Sequence, residues 1–335
     1  MSADIEPGIE LMLSIIVPVY NVAPYVEECL QSIASQEFDY PHEVILINDC
    51  SPDDSIEICR RFVANNQLSH FAIFENSENL GVSATRNRGL EQAGGRYFMF
   101  VDPDDLLPAN ALSALYETAE RHNAAIVKGN NTIFDDSIEA AAGYNVRQTS
   151  LIKGDNILTT FYEHDSVRGH PWGKLFRRAQ LGGYRFPVGV RMAQDLFYCS
   201  EVFSQATSLV LLDRDVYRYR DRDSGSTGRK FDSGSYLDWL DSVENTARFA
   251  TSEQHRRAHK NLLVRTMTQL ARECRKLSAE QARRVLEVIE QRREKWNIRF
   301  LQLILRDKLG ARSIARYLKM RLAIRQTRRQ IADTH

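Results

Sequence analysis

The sequence predicts an α/β protein, a mostly parallel sheet flanked by helices, followed by an α-helical C-terminal module. Two observations carry this. Short apolar runs alternate with longer amphipathic stretches from Leu13 to about Val127, and from Tyr236 onward the 335-residue chain contains no proline and a single glycine, Gly310. At roughly 150 residues per domain the length suggests two domains, which the pattern places at 1–235 and 236–335.

Each element follows in turn. The strand-like runs are LSIIVPV (13–19), EVILIND (43–49), FAIFE (71–75), RYFMFVD (96–102) and AAIVK (124–128). Helix-like stretches lie between them near 22–36, 53–66, 82–94 and 109–122. Pro24 is expected in the first turn of its helix, and SPDDS (51–55) offers Ser51 as an N-cap with Pro52 at the first helical position. Alternation of this kind implies right-handed crossovers and ligand binding at the carboxyl ends of the strands. Residues 129–235 are less periodic, with glycine-rich turns and short runs such as SLVLLD (208–213), and complete the first domain.

Composition narrows the class. Charged residues make up 26% and the hydrophobic set 43%, which excludes a disordered chain or a fibre. Leu11–Tyr20, the most apolar stretch, is far shorter than the ~20 residues that span a bilayer. With no signal-peptide pattern at the start, the cytoplasm is the expected compartment. Five cysteines (Cys29, Cys50, Cys59, Cys199, Cys274) without a CxxC pair read as reduced, mostly buried thiols rather than a disulfide framework or zinc site.

The net charge of zero conceals an asymmetry. Residues 290–335 hold 13 Lys and Arg against 4 Asp and Glu, a net of +9 balanced by −9 in residues 1–289. Within 311–330, Arg312, Arg316 and Lys319 fall on one side of a helix, while Ile314, Leu318 and Leu322 form an apolar strip interrupted by Arg321 and Arg325. Such a helix either lies on an anionic membrane, as peripheral contact at its inner face, or packs on protein. No aromatic stacking platform or nucleic-acid motif accompanies the charges, so nucleic acid is not an expected partner.

Chemistry concentrates after the strands. RYFMFVD runs into Asp102-Pro103-Asp104-Asp105, three carboxylates in four positions. Their mutual repulsion calls for a cation, and hard oxygen ligands suit Mg²⁺ or Mn²⁺; the alternative is an acidic turn with Asp105 capping the next helix. After the second strand, the Asp49 carboxylate suits the N3–H of uracil, or is a turn residue. ENLGVSATRNRG (78–89) places Arg86 and Arg88 near a helix start beside Asn79 and Gly81, where Arg86 can pair with a diphosphate or hold an aspartate.

These segments resemble the family-2 inverting glycosyltransferases with the GT-A fold. The resemblance covers roughly residues 12–225 through SIIVPVYNVAPYVEECLQSI, VILINDCSPDDS and ENLGVSATRNRGLEQAGGRYFMFVDPDD. It implies a nucleotide-sugar donor held by Pro18, Tyr20, Asp49, Asn79 and Arg86, with Asp102 and Asp104 at ribose and metal-bound diphosphate and Asp105 in the metal motif. HPWGKLFRR (170–178) resembles the segment below the acceptor site, with Trp172 and Lys174 as acceptor residues, Trp172 stacking on a sugar or serving as a core tryptophan. GVRMAQDLFYCSEVF (189–203) resembles the Glu-Asp motif of the catalytic base, here Gln194-Asp195, so Asp195 is implied as base and Gln194 as an acceptor contact. YRYRDRDSGSTGR (217–229) resembles a flexible segment that closes over diphosphate, with Arg220, Arg222, Ser224 and Ser226 as phosphate ligands. Asn48, Pro103, Gly173 and Gln194 depart from the usual residues at their positions.

The implied activity is metal-dependent transfer from a donor, UDP-sugar foremost, to a hydroxyl of a glycan or lipid-linked acceptor. A sugar-nucleotide pyrophosphorylase needs a glycine-rich basic loop after the first strand, where Val19-Tyr20-Asn21-Val22 stands instead. A non-catalytic nucleotide-sugar-binding scaffold is the alternative that Gln194 motivates, against which Asp195 and the three carboxylates are retained.

Overall fold

A computed structural model describes residues 10–135, 141–142, 145–167, 169–190, 192–222, 232–296 and 298. The described residues fall into two compact units, one from Met1–Gly189 with Gln194–Gly228 and one from Val190–Ala193 with Arg229–His335.

In the first unit the elements run β1 (Leu13–Val19), α1 (Val26–Ala34), β2 (His42–Asn48), α2 (Ser55–Asn65), β3 (Phe71–Glu75), α3 (Val82–Gln92), β4 (Tyr97–Phe100) and α4 (Ala111–His122). They continue with β5 (Ile126–Phe134), β6 (Ala141–Ala142), β7 (Ser150–Lys153), α5 (Asn156–Glu163), β8 (Lys174–Arg177), α6 (Arg178–Leu181), α7 (Gln194–Gln205) and β9 (Ser208–Arg220). The sheet order is β3-β2-β1-β4-β8-β5-β9-β7, with β6 beside β5. It is parallel from β3 to β4 and mixed beyond, because β8 runs antiparallel to both neighbours, β4 and β5. All seven residues of β1 are buried, as a central strand covered on both faces requires.

Local chemistry explains the packing. α3 lies against β1 so closely that a Cβ on Gly89 would stand 2.3 Å from Ile16 Cγ2. At the other end of the sheet, buried Glu43 accepts from Ser14 Oγ (2.7 Å) and Gly94 N (2.7 Å), while Ser14 Oγ accepts from Gly95 N (2.8 Å). No polar atom of this linkage is stranded, so its burial is tolerated.

Two local expectations are corrected. α1 starts at Val26, so Pro24 precedes the helix instead of opening it. α2 starts at Ser55, and Ser51 does not cap it. The side chains of SPDDS instead accept from the loop after β1: Asn21 N donates to Ser51 Oγ (3.3 Å), Val22 N to Ser55 Oγ (2.8 Å) and Ala23 N to Asp53 Oδ2 (2.9 Å). These bonds tie together the loops after the first two strands. Both loops turn through left-handed residues, Asn21 (φ 53°) and Cys50 (φ 53°). Asparagine adopts that region readily, whereas cysteine is strained there by about 1 kcal/mol.

The second unit contains α8 (Ser233–Asn245), α9 (Glu253–Glu273) and α10 (Ala279–Lys295), with short 3₁₀ turns at Thr246–Phe249 and Cys274–Lys276. α8 is capped by Asp232, which accepts from Ser235 N (2.8 Å). Glu244 is 7% exposed and pairs with Arg292, Lys295 and the Trp296 indole N–H, a buried carboxylate whose two cationic partners reach solvent. No helix among the described residues is long and apolar enough to cross a membrane. The basic stretch 311–330 lies outside the described residues. All five cysteines are free, and four of them are buried; Cys50 is exposed.

Candidate active site

The carboxyl ends of β1, β2 and β4 carry the residues that the strand alternation pointed to. Pro18 is buried inside β1, paired in register with Ile47, and Tyr20 just beyond is 46% exposed. Asp49 follows β2 and is 3% exposed. Its carboxylate accepts from Asn76 Nδ2 (2.7 Å), Leu80 N (2.9 Å) and Gly81 N (2.8 Å). It therefore anchors the loop between β3 and α3, on which Asn79 is exposed. Three of a carboxylate's roughly four lone-pair positions are thus taken, leaving one for an incoming N–H.

Arg86 is the centre of the site. It sits in the first half of α3, 3% exposed, and its guanidinium donates from Nη1 to Asp195 Oδ1 (2.6 Å) and from Nη2 to Asp102 Oδ1 (2.8 Å). The Phe186 ring lies beneath it at 5.3 Å. Burial pushes the guanidinium pKa down, but the two carboxylates outweigh this and hold it above its ordinary value. Of the two roles open to Arg86, the structure adopts the second: it holds aspartates. Arg88 instead donates to Asn76 Oδ1 (2.8 Å) and so braces the Asp49 network.

The acidic motif divides. Asp102 faces Arg86 with 24% of its side chain exposed, and Asp104 pairs with Arg222. Asp105 turns inward: its carboxylate accepts from the Tyr217 hydroxyl (2.7 Å) and Arg220 N (2.8 Å), and it is 1% exposed. The Tyr217 hydroxyl also accepts from Asp102 N (3.0 Å), so one phenol fixes both ends of the motif. Burial raises the pKa values of Asp104 and Asp105, and neighbouring carboxylates raise them further.

The expected third metal ligand is therefore corrected. Asp105 is committed to Tyr217 and the β9 backbone, and among the described residues no group of three His, Cys, Asp or Glu side chains is arranged to hold a metal. Asp102 and Asp104 still fit a hard cation. Even with Arg86 and Arg222 beside them, Asp102 pushes the pKa of Asp104 upward, and Mg²⁺ or Mn²⁺ needs one or two carboxylates when phosphate oxygens complete its shell.

Other implied residues take structural places. Trp172 is 7% exposed, near-parallel to His170 (4.7 Å) and Tyr217 (4.6 Å), and belongs to the hydrophobic core instead of offering a face to a sugar. Lys174 is 1% exposed and donates to the His170 carbonyl (2.5 Å); burial pushes its ammonium down to about 8. Arg220 is 5% exposed, held by Glu28 and by the Asp104 carbonyl (2.9 Å). The segment expected to be flexible is strand β9 up to Arg220, because Tyr217 and Arg220 are locked to Asp105; Ser224 and Ser226 lie outside the described residues. Gln194 opens α7, half-buried, beside Asp195 in its first turn. Ala193 immediately before it is left-handed (φ 58°), a strained residue at the entry to the candidate base.

Sequence patterns did not single out Tyr217, Phe186, Asn76 or Glu28. Each acts on a residue at least 27 positions away, a relation that no local pattern encodes.

An α/β sheet with carboxylates and a buried arginine gathered near the strands' carboxyl ends places the candidate site where open α/β sheets bind ligands. The chain belongs to glycosyl transferase family 2, whose family model matches residues 14–181. It is 32% identical over 225 residues to glycosyltransferase GlyA of Streptococcus pneumoniae, covering 65% of this chain and 31% of that protein. It is 27% identical over 218 residues to the poly(ribitol-phosphate) β-N-acetylglucosaminyltransferase TarS of Staphylococcus aureus, covering 64% and 36%. The chain thus spans about a third of the length of these two relatives. The crystal structure of S. aureus TarS 1–349 in complex with UDP-GlcNAc has the same fold, with a TM-score of 0.62 at 21% identity, covering 77% of this chain and 72% of that one. A mannosyltransferase from Pyrobaculum calidifontis in complex with GDP-Man and Mn²⁺ aligns with a TM-score of 0.54 at 19% identity, over 94% of this chain and 88% of that one.

Proposed function

We propose that the chain is an inverting glycosyltransferase that moves a sugar from a nucleotide diphosphate, UDP-sugar foremost, to a hydroxyl of a glycan or lipid-linked acceptor. The observation that carries this is Arg86, whose single guanidinium holds both Asp195 and Asp102. A candidate base on α7 and a donor-side carboxylate after β4 are thereby kept within one residue's reach.

The chemistry follows from that arrangement. Asp195 takes the proton of the acceptor hydroxyl as its oxygen attacks the anomeric carbon, while the bond to the diphosphate oxygen breaks and that oxygen keeps the electron pair. Attack opposite the leaving group inverts the configuration. Asp102 and Asp104 would hold Mg²⁺ or Mn²⁺, which neutralises charge on the departing diphosphate when bound. Asp49 accepts the base N–H on its remaining lone pair, and Arg86 holds the Asp195 carboxylate in place. The first unit is the catalytic domain in this reading and the second a helical module. Peripheral membrane contact through 311–330 rests on sequence pattern alone and is read out by sedimentation with anionic liposomes at low salt.

Release of nucleotide diphosphate from a panel of nucleotide sugars, with Mn²⁺, Mg²⁺ or EDTA, tests the reading without an acceptor. The expected result is metal-dependent hydrolysis, lowered at least about a thousandfold by Asp195→Asn while nucleotide binding stays within about twofold. An intact protein that hydrolyses no donor with either ion, or an Asp195→Asn variant turning over within about tenfold of wild type, refutes the assignment.

A further inference from the structure

His170 is held more firmly than an exposed loop histidine requires. The residue is exposed, yet its ring stacks on Trp172 (4.7 Å, 7° between planes), which in turn stacks on Tyr217 (4.6 Å, 7°), with Tyr219 alongside at 6.3 Å from His170. Its backbone is fixed from below by Lys174, a lysine buried to 1% exposure whose ammonium donates to the His170 carbonyl. Burying an ammonium is costly, so a lysine committed to one loop carbonyl marks that loop as positioned. Left-handed glycines, Gly169 (φ 96°) and Gly173 (φ 64°), bracket the segment and let it turn tightly.

The surroundings of the ring belong to the candidate site. Burial pushes the imidazole below its ordinary value. Asp195 is the strongest charge acting on it, followed by Lys174, Asp102 and Arg86. Tyr217, at the other end of the same stack, accepts from Asp102 N (3.0 Å), which joins the stack to the acidic motif. Trp172, the aromatic residue that the sequence marked for a sugar, is covered; the exposed end of the same stack is His170.

We propose that His170 is the acceptor-facing residue of the site, presenting the free face of its imidazole as the platform on which an acceptor pyranose lies while its hydroxyl meets Asp195. The inference rests on the glycosyltransferase reading above. Apolar C–H faces of pyranoses pack on flat aromatic surfaces, and a ring fixed by stacking and by Lys174 binds without ordering cost. Trp172, Tyr217 and Lys174 are then positioning residues that act through His170.

The test compares full-length wild type, His170→Ala and His170→Phe in two assays. One is metal-dependent hydrolysis of UDP-GlcNAc by water; the other is transfer to methyl and p-nitrophenyl glycosides of glucose, galactose, N-acetylglucosamine and N-acetylgalactosamine up to about 100 mM, a range that reaches weak binding. His170→Ala is expected to raise the acceptor KM at least about tenfold and leave hydrolysis within about threefold of wild type, and His170→Phe to restore most of the acceptor KM. Should His170→Ala melt well below wild type, His170→Leu takes its place, with the same expectation against His170→Phe. Equal loss of hydrolysis and transfer, an unchanged acceptor KM, or no recovery with phenylalanine overturns the proposal. So does a wild type that hydrolyses donor but saturates with none of the glycosides. A wild type that hydrolyses no nucleotide sugar instead removes the glycosyltransferase reading itself.

Discussion

Replacing Arg86 by methionine keeps the length of the side chain and removes its charge. The guanidinium has 4% of its side chain exposed, and the carboxylates it bridges, Asp102 and Asp195, retain 24% and 20%. Removing one partner of a fully buried ion pair costs about 3–5 kcal/mol, chiefly because the remaining charge is left unpaired. Here two carboxylates lose their cation, but both keep some water, which places the loss near the lower limit, at about 3 kcal/mol. For a unit of roughly 150–250 residues each kcal/mol corresponds to about 2–4 °C, so the melting temperature should fall by about 6–12 °C. Circular dichroism during thermal unfolding reads this directly. Arg86→Lys keeps a charge but lacks the planar fork needed to reach both carboxylates, and should recover only part of the loss. Donor hydrolysis should fall in Arg86→Met beyond what the unfolded fraction explains, because Asp195 and Asp102 are no longer held together. A variant that melts within about 2 °C of wild type, with undiminished hydrolysis, refutes the view that Arg86 organises the site.

Tyr217→Phe removes the hydroxyl shared by Asp102 N and Asp105, leaving a partly buried donor and a buried carboxylate short of a partner; a cost of about 2 kcal/mol is expected in urea unfolding, together with weaker metal-dependent nucleotide binding. Gly89→Ala forces a methyl to 2.3 Å from Ile16 Cγ2, so α3 must lift from β1 at about 1–3 kcal/mol, and an unchanged unfolding midpoint counts against that packing. The His70 imidazole, near His42 at 4.8 Å, is pushed from 6.5 down to about 4 by burial and by its histidine neighbour. The unfolded chain therefore binds the proton more readily, so its contribution to stability is complete above pH 6.5 and declines as pH falls through 6.5 toward 4. Because the ring is half-exposed, the contribution is about 1–2 kcal/mol after allowance for solvent, and His70→Gln should flatten the acid limb of the stability profile between those values.

The sequence by itself marked the first five strands in chain order and where chemistry sits along them, but not β6, β7 or β8. β1, β3 and the start of α3 fall where hydrophobic periodicity put them, because covered strands and amphipathic helices write their environment into spacings of two and of three to four residues. It also marked Asp49, Arg86, Asp102 and Asp104, since residues after strands of a parallel sheet meet at one edge. Only the tertiary structure decided what each does. Asp105 looked like its neighbours in the acidic motif, yet β9 brings Tyr217 and the Arg220 amide against it from over 100 residues away and converts it to a structural carboxylate. Trp172 was open to a sugar by its motif and is closed by Tyr217 and His170, whereas His170, which opens that motif but was given no role in it, stands at the other end of the stack. Periodicity encodes whether a residue is buried, because burial repeats with the local backbone; a partner supplied by another strand has no fixed spacing along the chain, and so appears only when the sheet is assembled.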